Sequence, residues 1–329
     1  MGKLNMAAVF LMLMYVSISK ALVVDISKHG ARQNADIAQS LTLAFKEACA
    51  STTESKVLIP KGTYKLSAVK LEGPCKAPIE IQVQATLIAS TEKTTEPSWV
   101  AFSHIDHLTV SGGGVFDGQG SKAWARHESI NTDGTHIGRS TGFKVLDSDI
   151  RTGDDCVSLG DSNQQITIER VTCGPGHGIS VGSLGKYQNE APVIGLTIRN
   201  CIITDSWPAS YKGVASDMHF EDLIMNNVGN PVLIDQVYCP VNQCNTKIPS
   251  KVKISKVTFK NIRGTSSTPV AVKLSCSPGN PCQGVELSNI DLTYTGKEAP
   301  AAISQCGHVQ PKVSGRMNPK ACTAPVAAY

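Results

Sequence analysis

Past residue 21 the 329-residue chain has no apolar run long enough to cross a bilayer, which argues against a membrane partner or anchor. Excess charge is also scarce. Its 31 Lys and Arg face 27 Asp and Glu, a formal net charge of +4, and setting aside Lys3 and Lys20 leaves about +2. That balance, with no arginine-rich tract and no aromatic stacking motif, excludes a nucleic-acid partner. No compact cysteine and histidine set has finger or ribbon spacing, so no metal and no cofactor is expected. No Asn-x-Ser/Thr triplet occurs, and N-glycosylation is not expected. Two-residue Asn-Gly and Asp-Gly turns are infrequent, which disfavours the hairpins of a β-sandwich, the rival all-β reading.

What is present begins with a leader. Lys3 supplies a charged start, Met6 to Ile18 is apolar but short for a span, and Ser19-Lys20-Ala21 ends on small residues. Residues 1–21 read as a secretory signal peptide and 22–329 as one exported domain, acting outside the cell as a monomer. The 11 cysteines then point to disulfides. Cys239 with Cys244, Cys276 with Cys282, and Cys306 with Cys322 are local pairs, and Cys49 with Cys75 is a further expected bridge. Lysines gather between Lys247 and Arg263, where Lys251 and Lys253 alternate as on the solvated face of a strand.

Helical periodicity is confined to one stretch. Ile37, Leu41, Ala44, Phe45 and Ala48 share a face, with Asp36 as N-cap. After Cys49, short β-branched runs take over, among them 57–59, 79–83, 108–110, 166–168, 196–198, 252–254 and 285–287. Aligning the runs on Val110, Val145, Ile168, Ile198, Phe220, Ile254 and Leu287 gives gaps of 35, 23, 30, 22, 34 and 33. A repeat of this length with little helix indicates a solenoid, and Gly and Asn turns with inward Val, Ile and Leu favour a parallel β-helix. The early helix would cap its open first coil.

Acidic and imidazole groups follow the same interval. Asp133 precedes Asp154 by 21 residues, and His177 follows Asp155 by 22. Stacked coils would bring residues one repeat apart to roughly 5 Å of each other. Asp154 and Asp155 are adjacent, so they share a direction only if the chain bends, and Gly153 makes such a bend easy. Three carboxylates and an imidazole on one patch are the equipment of acid/base hydrolysis of a sugar bond.

Asn131-Thr132-Asp133-Gly134, Gly153-Asp154-Asp155-Cys156 and Cys173-Gly174-Pro175-Gly176-His177-Gly178-Ile179-Ser180 resemble three of the four signature motifs of the polygalacturonases. These are the pectin-hydrolysing glycoside hydrolases with a right-handed parallel β-helix, and the wording looks most like the plant pollen-type exo-acting members. The resemblance implies that Asp154 is the general acid and that Asp133 and Asp155 hold the attacking water. It implies that His177 tunes the shared proton and that Asn131 and Tyr238 meet substrate, pectin or polygalacturonate in the cell wall. It also implies a Cys156–Cys173 bridge, leaving Cys201 as the unpaired, buried thiol. Mutual repulsion among the carboxylates should raise one pKa and keep the acid protonated.

Two departures stand out. The fourth motif, an Arg-Ile-Lys that grips substrate carboxylates, is absent between Ile202 and Met218, where Lys212 is the lone base. About two coils are also missing between Trp124 and Asn131. The resulting expectation is a polygalacturonase of reduced activity. The alternatives are a non-catalytic pectin-binding β-helix and a pectate lyase.

Overall fold

β-Branched and aliphatic runs recur at coil spacing, and each becomes a rung. The computed structural model describes residues 21–90, 98–120, 133–182, 184, 190–205, 214–236, 249–250 and 252–322. Among these the strands form parallel sheets of 15, five and three strands. The longest ladder climbs from Leu22–Asp25 through Ser55–Ile59, Ile79–Val83, Leu108–Ser111, Lys144–Arg151, Gln164–Cys173, Val193–Arg199, Ala215–Val228, Ile254–Ser266 and Gln283–Tyr294 to Lys312–Asn318. Parallel rungs joined by whole coils make a right-handed parallel β-helix.

The helix runs Ala38–Ala50 and buries Leu41, Ala44, Phe45 and Ala48, with Ile37 buried just before it. Asp36 Oδ1 accepts the Ala38 N–H at 2.8 Å, so the cap acts from one residue ahead of the helix boundary. The helix packs on Leu22–Asp25 and Ser55–Ile59, covering the first coil.

Val110, Val145, Ile168, Ile198 and Phe220 form one interior row, each opposite the next. All are buried, and each such side chain contributes about 1.5–3 kcal/mol. The row then corrects the alignment drawn from sequence. Phe220 lies opposite Phe259, and Phe259 opposite Leu287, while Ile254 faces Ala215. Val252-Lys253-Ile254 mimics the apolar-x-apolar pattern of Val257-Thr258-Phe259 a few residues early. Ring packing distinguishes them: Phe220 and Phe259 stack with centroids 4.8 Å apart and planes at 19°.

The face that matters is the five-stranded sheet: Val69–Glu72, Ser98–Ser103, Asp133–Gly138, Asp155–Leu159 and Gly178–Val181. A separate three-stranded sheet, Val232–Asp235, Val270–Ser275 and Ile303–Gly307, continues along the solenoid. The coil between them supplies Val193–Arg199 and Ile202–Thr204 to the long ladder. Among the described residues it adds no strand to either smaller sheet. That is the coil in which the Arg-Ile-Lys is lacking.

Cys49–Cys75, Cys156–Cys173, Cys276–Cys282 and Cys306–Cys322 are disulfides, and Cys201 is a buried free thiol. The leader through residue 20, Trp124, Asn131, Lys212, Tyr238, Lys251 and the Cys239–Cys244 pair lie outside the described residues.

Candidate active site

Three neighbouring strands of the five-stranded sheet begin at the residues in question. Asp133 opens Asp133–Gly138, Asp155 opens Asp155–Leu159, and His177 immediately precedes Gly178–Val181. Parallel register does the gathering: Thr135 pairs with Val157, and Asp155 with Gly178. Gly153 and Asp154 form a bend, and the ladder shifts register between Asp155 and Val157, so the adjacent carboxyls point into one site.

The loops carrying these groups are in contact. His177 N–H donates to the Asp154 carbonyl at 2.7 Å, and Thr152 N–H to the Pro175 carbonyl at 3.0 Å. Gly176 has no room for a side chain, since a Cβ there would come within 2.5 Å of the Asp154 carbonyl oxygen. The Cys156–Cys173 bridge ties the same two coils from the interior side, both cysteines being fully buried.

Side-chain contacts complete the cluster. His177 Nδ1 lies 2.5 Å from Asp154 Oδ1, which also accepts the Asp155 N–H at 3.0 Å. Ser158 Oγ donates to Asp133 Oδ2 at 2.7 Å, and Ser180 Oγ donates to Asp155 Oδ2. Asp155 is only 8% exposed, and its Oδ1 is buried with no hydrogen-bond partner among the described residues.

Burial dominates the electrostatics. It pushes the Asp133 carboxyl up to about 6, with Asp154 adding repulsion and the Ser158 hydroxyl pulling the other way. It pushes Asp155 up to about 8, helped by the charges of Asp133 and Asp154 and opposed by Ser180 and His177. The hydrogen bond to Asp154 raises the His177 pKa against the effect of burial. Desolvation, ahead of repulsion between carboxylates, is thus the main cause, and it acts on Asp133 and Asp155. At mildly acidic pH the cluster holds protons and charge together, as general acid/base hydrolysis needs.

One atom each of Asp154, Asp155 and His177 lie within 4.8 Å of one another, so these three could also offer ligands to a metal ion. Sequence reasoning missed Ser158, Ser180 and His136, whose Nδ1 is 2.8 Å from Ser158 Oγ. A signal was available, because each stands three residues after Asp155, His177 or Asp133.

A family model described as glycosyl hydrolases family 28 matches residues 49–129 and 124–315. The two stretches meet at 124–129, where the sequence indicates missing coils. A polygalacturonase of Nicotiana tabacum is 45% identical over 390 residues, covering 99% of this chain and 98% of that protein. An alignment of that length against 329 residues means that the relative carries segments with no counterpart here. An exopolygalacturonase of Oenothera organensis is 44% identical, covering 89% of this chain and 99% of that protein. The crystal structure of endo-xylogalacturonan hydrolase from Aspergillus tubingensis superposes with a TM-score of 0.54 at 21% identity, covering 85% of this chain and 96% of that one. At that identity it speaks for the fold alone.

Proposed function

The chain belongs to glycosyl hydrolases family 28, and from that premise we propose that it is a polygalacturonase cleaving α-1,4-galacturonosyl bonds of pectin by an inverting, exo-acting mechanism. The observation that carries this reading is the meeting of Asp133, Asp154, Asp155 and His177 on three adjacent coils. Asp154 gives a proton to the leaving glycosidic oxygen. Asp133 and Asp155 hold the water that attacks the anomeric carbon from the opposite face, and the ionised member of the pair takes its proton. His177, bonded to Asp154, steadies that carboxyl and adjusts the shared charge. Asn131 and Tyr238 contact the sugar, and the enzyme acts outside the cell after removal of residues 1–21.

Activity is reduced relative to family members that carry the cationic tripeptide. Hydrogen bonds to charged groups contribute about 1.5–3 kcal/mol each, so two lost contacts correspond to roughly two to four orders of magnitude in kcat/KM. A non-catalytic pectin-binding β-helix is the second reading, favoured by that same absence. Membership of a hydrolase family leaves the lyase alternative without support.

A reducing-sugar assay on polygalacturonate, with and without a chelator, tests the proposal. Hydrolysis gives saturated reducing ends whether or not a chelator is present. Unsaturated, ultraviolet-absorbing ends, or binding with no cleavage, would overturn it.

A further inference from the structure

The offset of three residues described above has a geometric meaning. Parallel register sets His136 opposite Ser158 and Ser158 opposite Ser180, one outward row alongside the acidic one. Each hydroxyl is committed to a single carboxyl. Ser158 Oγ donates to Asp133 Oδ2 at 2.7 Å, and Ser180 Oγ to Asp155 Oδ2. A hydroxyl whose proton is given to Asp133 can only accept from the imidazole 2.8 Å away, so His136 Nδ1–H is the donor there. Burial lowers the His136 pKa, which favours the neutral ring this arrangement uses. Gly160 leaves space for the ring, since a Cβ at that position would lie 3.2 Å from His136 Nε2.

We propose that Ser158 and Ser180, with His136 behind Ser158, are positioning residues of the reaction: they hold Asp133 and Asp155 by their Oδ2 oxygens and so fix the orientation of the two carboxyls. The inference rests on the hydrolase reading above. Its second support is that Asp155 Oδ1 is buried and has no hydrogen-bond partner among the described residues, so Ser180 on Oδ2 is what fixes the orientation of that carboxyl. Without Ser180 the Asp155 carboxyl could rotate, and without Ser158 Asp133 would keep only the backbone contact with Asp155; a loosened carboxyl holds its water off the line of attack.

The charged and titratable neighbours are few. Asp133 is faced by Asp154 and Asp155 from one adjacent coil, by His177 beyond it, and lies opposite Ser98 on the other side. Asp155 is faced by Asp133, Asp154 and His177, and His136 by Asp161. None of these changes when a serine is truncated, so a moved titration reports the hydroxyl itself.

The test uses Ser158→Ala, Ser180→Ala, Ser158→Thr and His136→Ala in the full chain, with two readouts. One is the carbon-13 NMR titration of side-chain carboxyls in the free protein, and the other is the pH profile of kcat/KM on oligogalacturonate. Ser158→Ala should move the Asp133 titration upward by about one to two pH units, the size of one hydrogen bond to a charged group. The acidic limb of the rate profile should follow, and Ser158→Thr should restore both. His136→Ala should move them in the same direction by less, and should add nothing to Ser158→Ala because it acts through the same hydroxyl. Ser180→Ala should move Asp155 alone. Ser158→Cys carries the test if the alanine variant does not fold. Carboxyl titrations unmoved in folded variants would overturn the proposal. Moved titrations support it even if the parent chain shows no turnover, an outcome that would count against the hydrolase reading only.

Discussion

Asp155 is held at the centre of this site at an electrostatic cost, and that cost has a measurable sign. Its folded pKa is raised to about 8 from the ordinary 3.8, chiefly by burial. The folded state therefore binds a proton that the unfolded chain has already released, and the associated stability is complete below the unfolded value and lost as pH rises through about 8. Asp155→Asn keeps the shape and removes the buried charge. Its unfolding free energy from urea titration should fall less between pH 5 and pH 8 than the parent's, by a margin on the order of a few kcal/mol. Equal falls in the two proteins would mean that Asp155 does not carry this linkage. Asp154 differs, since it meets His177 at the rim and is the proposed proton donor. Asp154→Asn should lower kcat by about 10²–10⁴-fold while oligogalacturonate binding, followed by calorimetry, stays largely intact. A fully active Asp154→Asn enzyme would remove the assignment.

Two loops have to stay in register for these side chains to meet, and the elements around them are built for that. The Cys156–Cys173 bridge closes a separation of 17 residues beneath the bend at Gly153 and Asp154. A loop of that size corresponds to about 3 kcal/mol of stability. Cys156→Ala with Cys173→Ala should lower the denaturation free energy by that order, and should lower kcat more than KM because it loosens the reacting groups rather than the sugar contacts. Gly176→Ala is the complementary probe. Its Cβ would strike the Asp154 carbonyl oxygen, so the variant should keep its strands by circular dichroism yet lose most activity. Retained activity would show that the two loops can separate without consequence.

Across the whole solenoid the same economy permits loss. Each coil contacts mainly its neighbours, so a missing strand or a pair of missing coils shortens the cleft without unravelling the stack. The ladder through Val193–Arg199 and Ala215–Val228 stays paired although the coil at Ile202–Thr204 contributes no described strand to the active face. The carboxyls proposed as catalytic should, without a cationic grip, still donate a proton and activate water but hold substrate poorly. An Arg-Ile-Lys-bearing insert after Thr204 should raise kcat/KM on polygalacturonate by roughly two to four orders of magnitude. Full-strength activity in the chain as it stands would mean that another base, Lys212 among them, supplies the grip.

Much of this was open to reading from residues alone, because in a solenoid sequence distance converts almost directly into spatial distance. The helix and its buried face follow from an apolar period of about 3.6 residues, while the interior row from Val110 to Phe220 and the approach of Asp133, Asp154, Asp155 and His177 follow from strands and acidic groups that recur once per coil. The limits have physical causes too. Two apolar-x-apolar runs, one ending where the strand Ile254–Ser266 begins and one inside it, compete for the same row, and the folded register with Phe220 stacked on Phe259 settles Phe259 over Ile254. Likewise, a serine three residues past an acid or a histidine is an ordinary polar residue until parallel register sets Ser158 and Ser180 side by side against two buried carboxyls. Which carboxyls are raised was also beyond a linear reading, since burial outweighs repulsion and burial depends on every coil packed around the site.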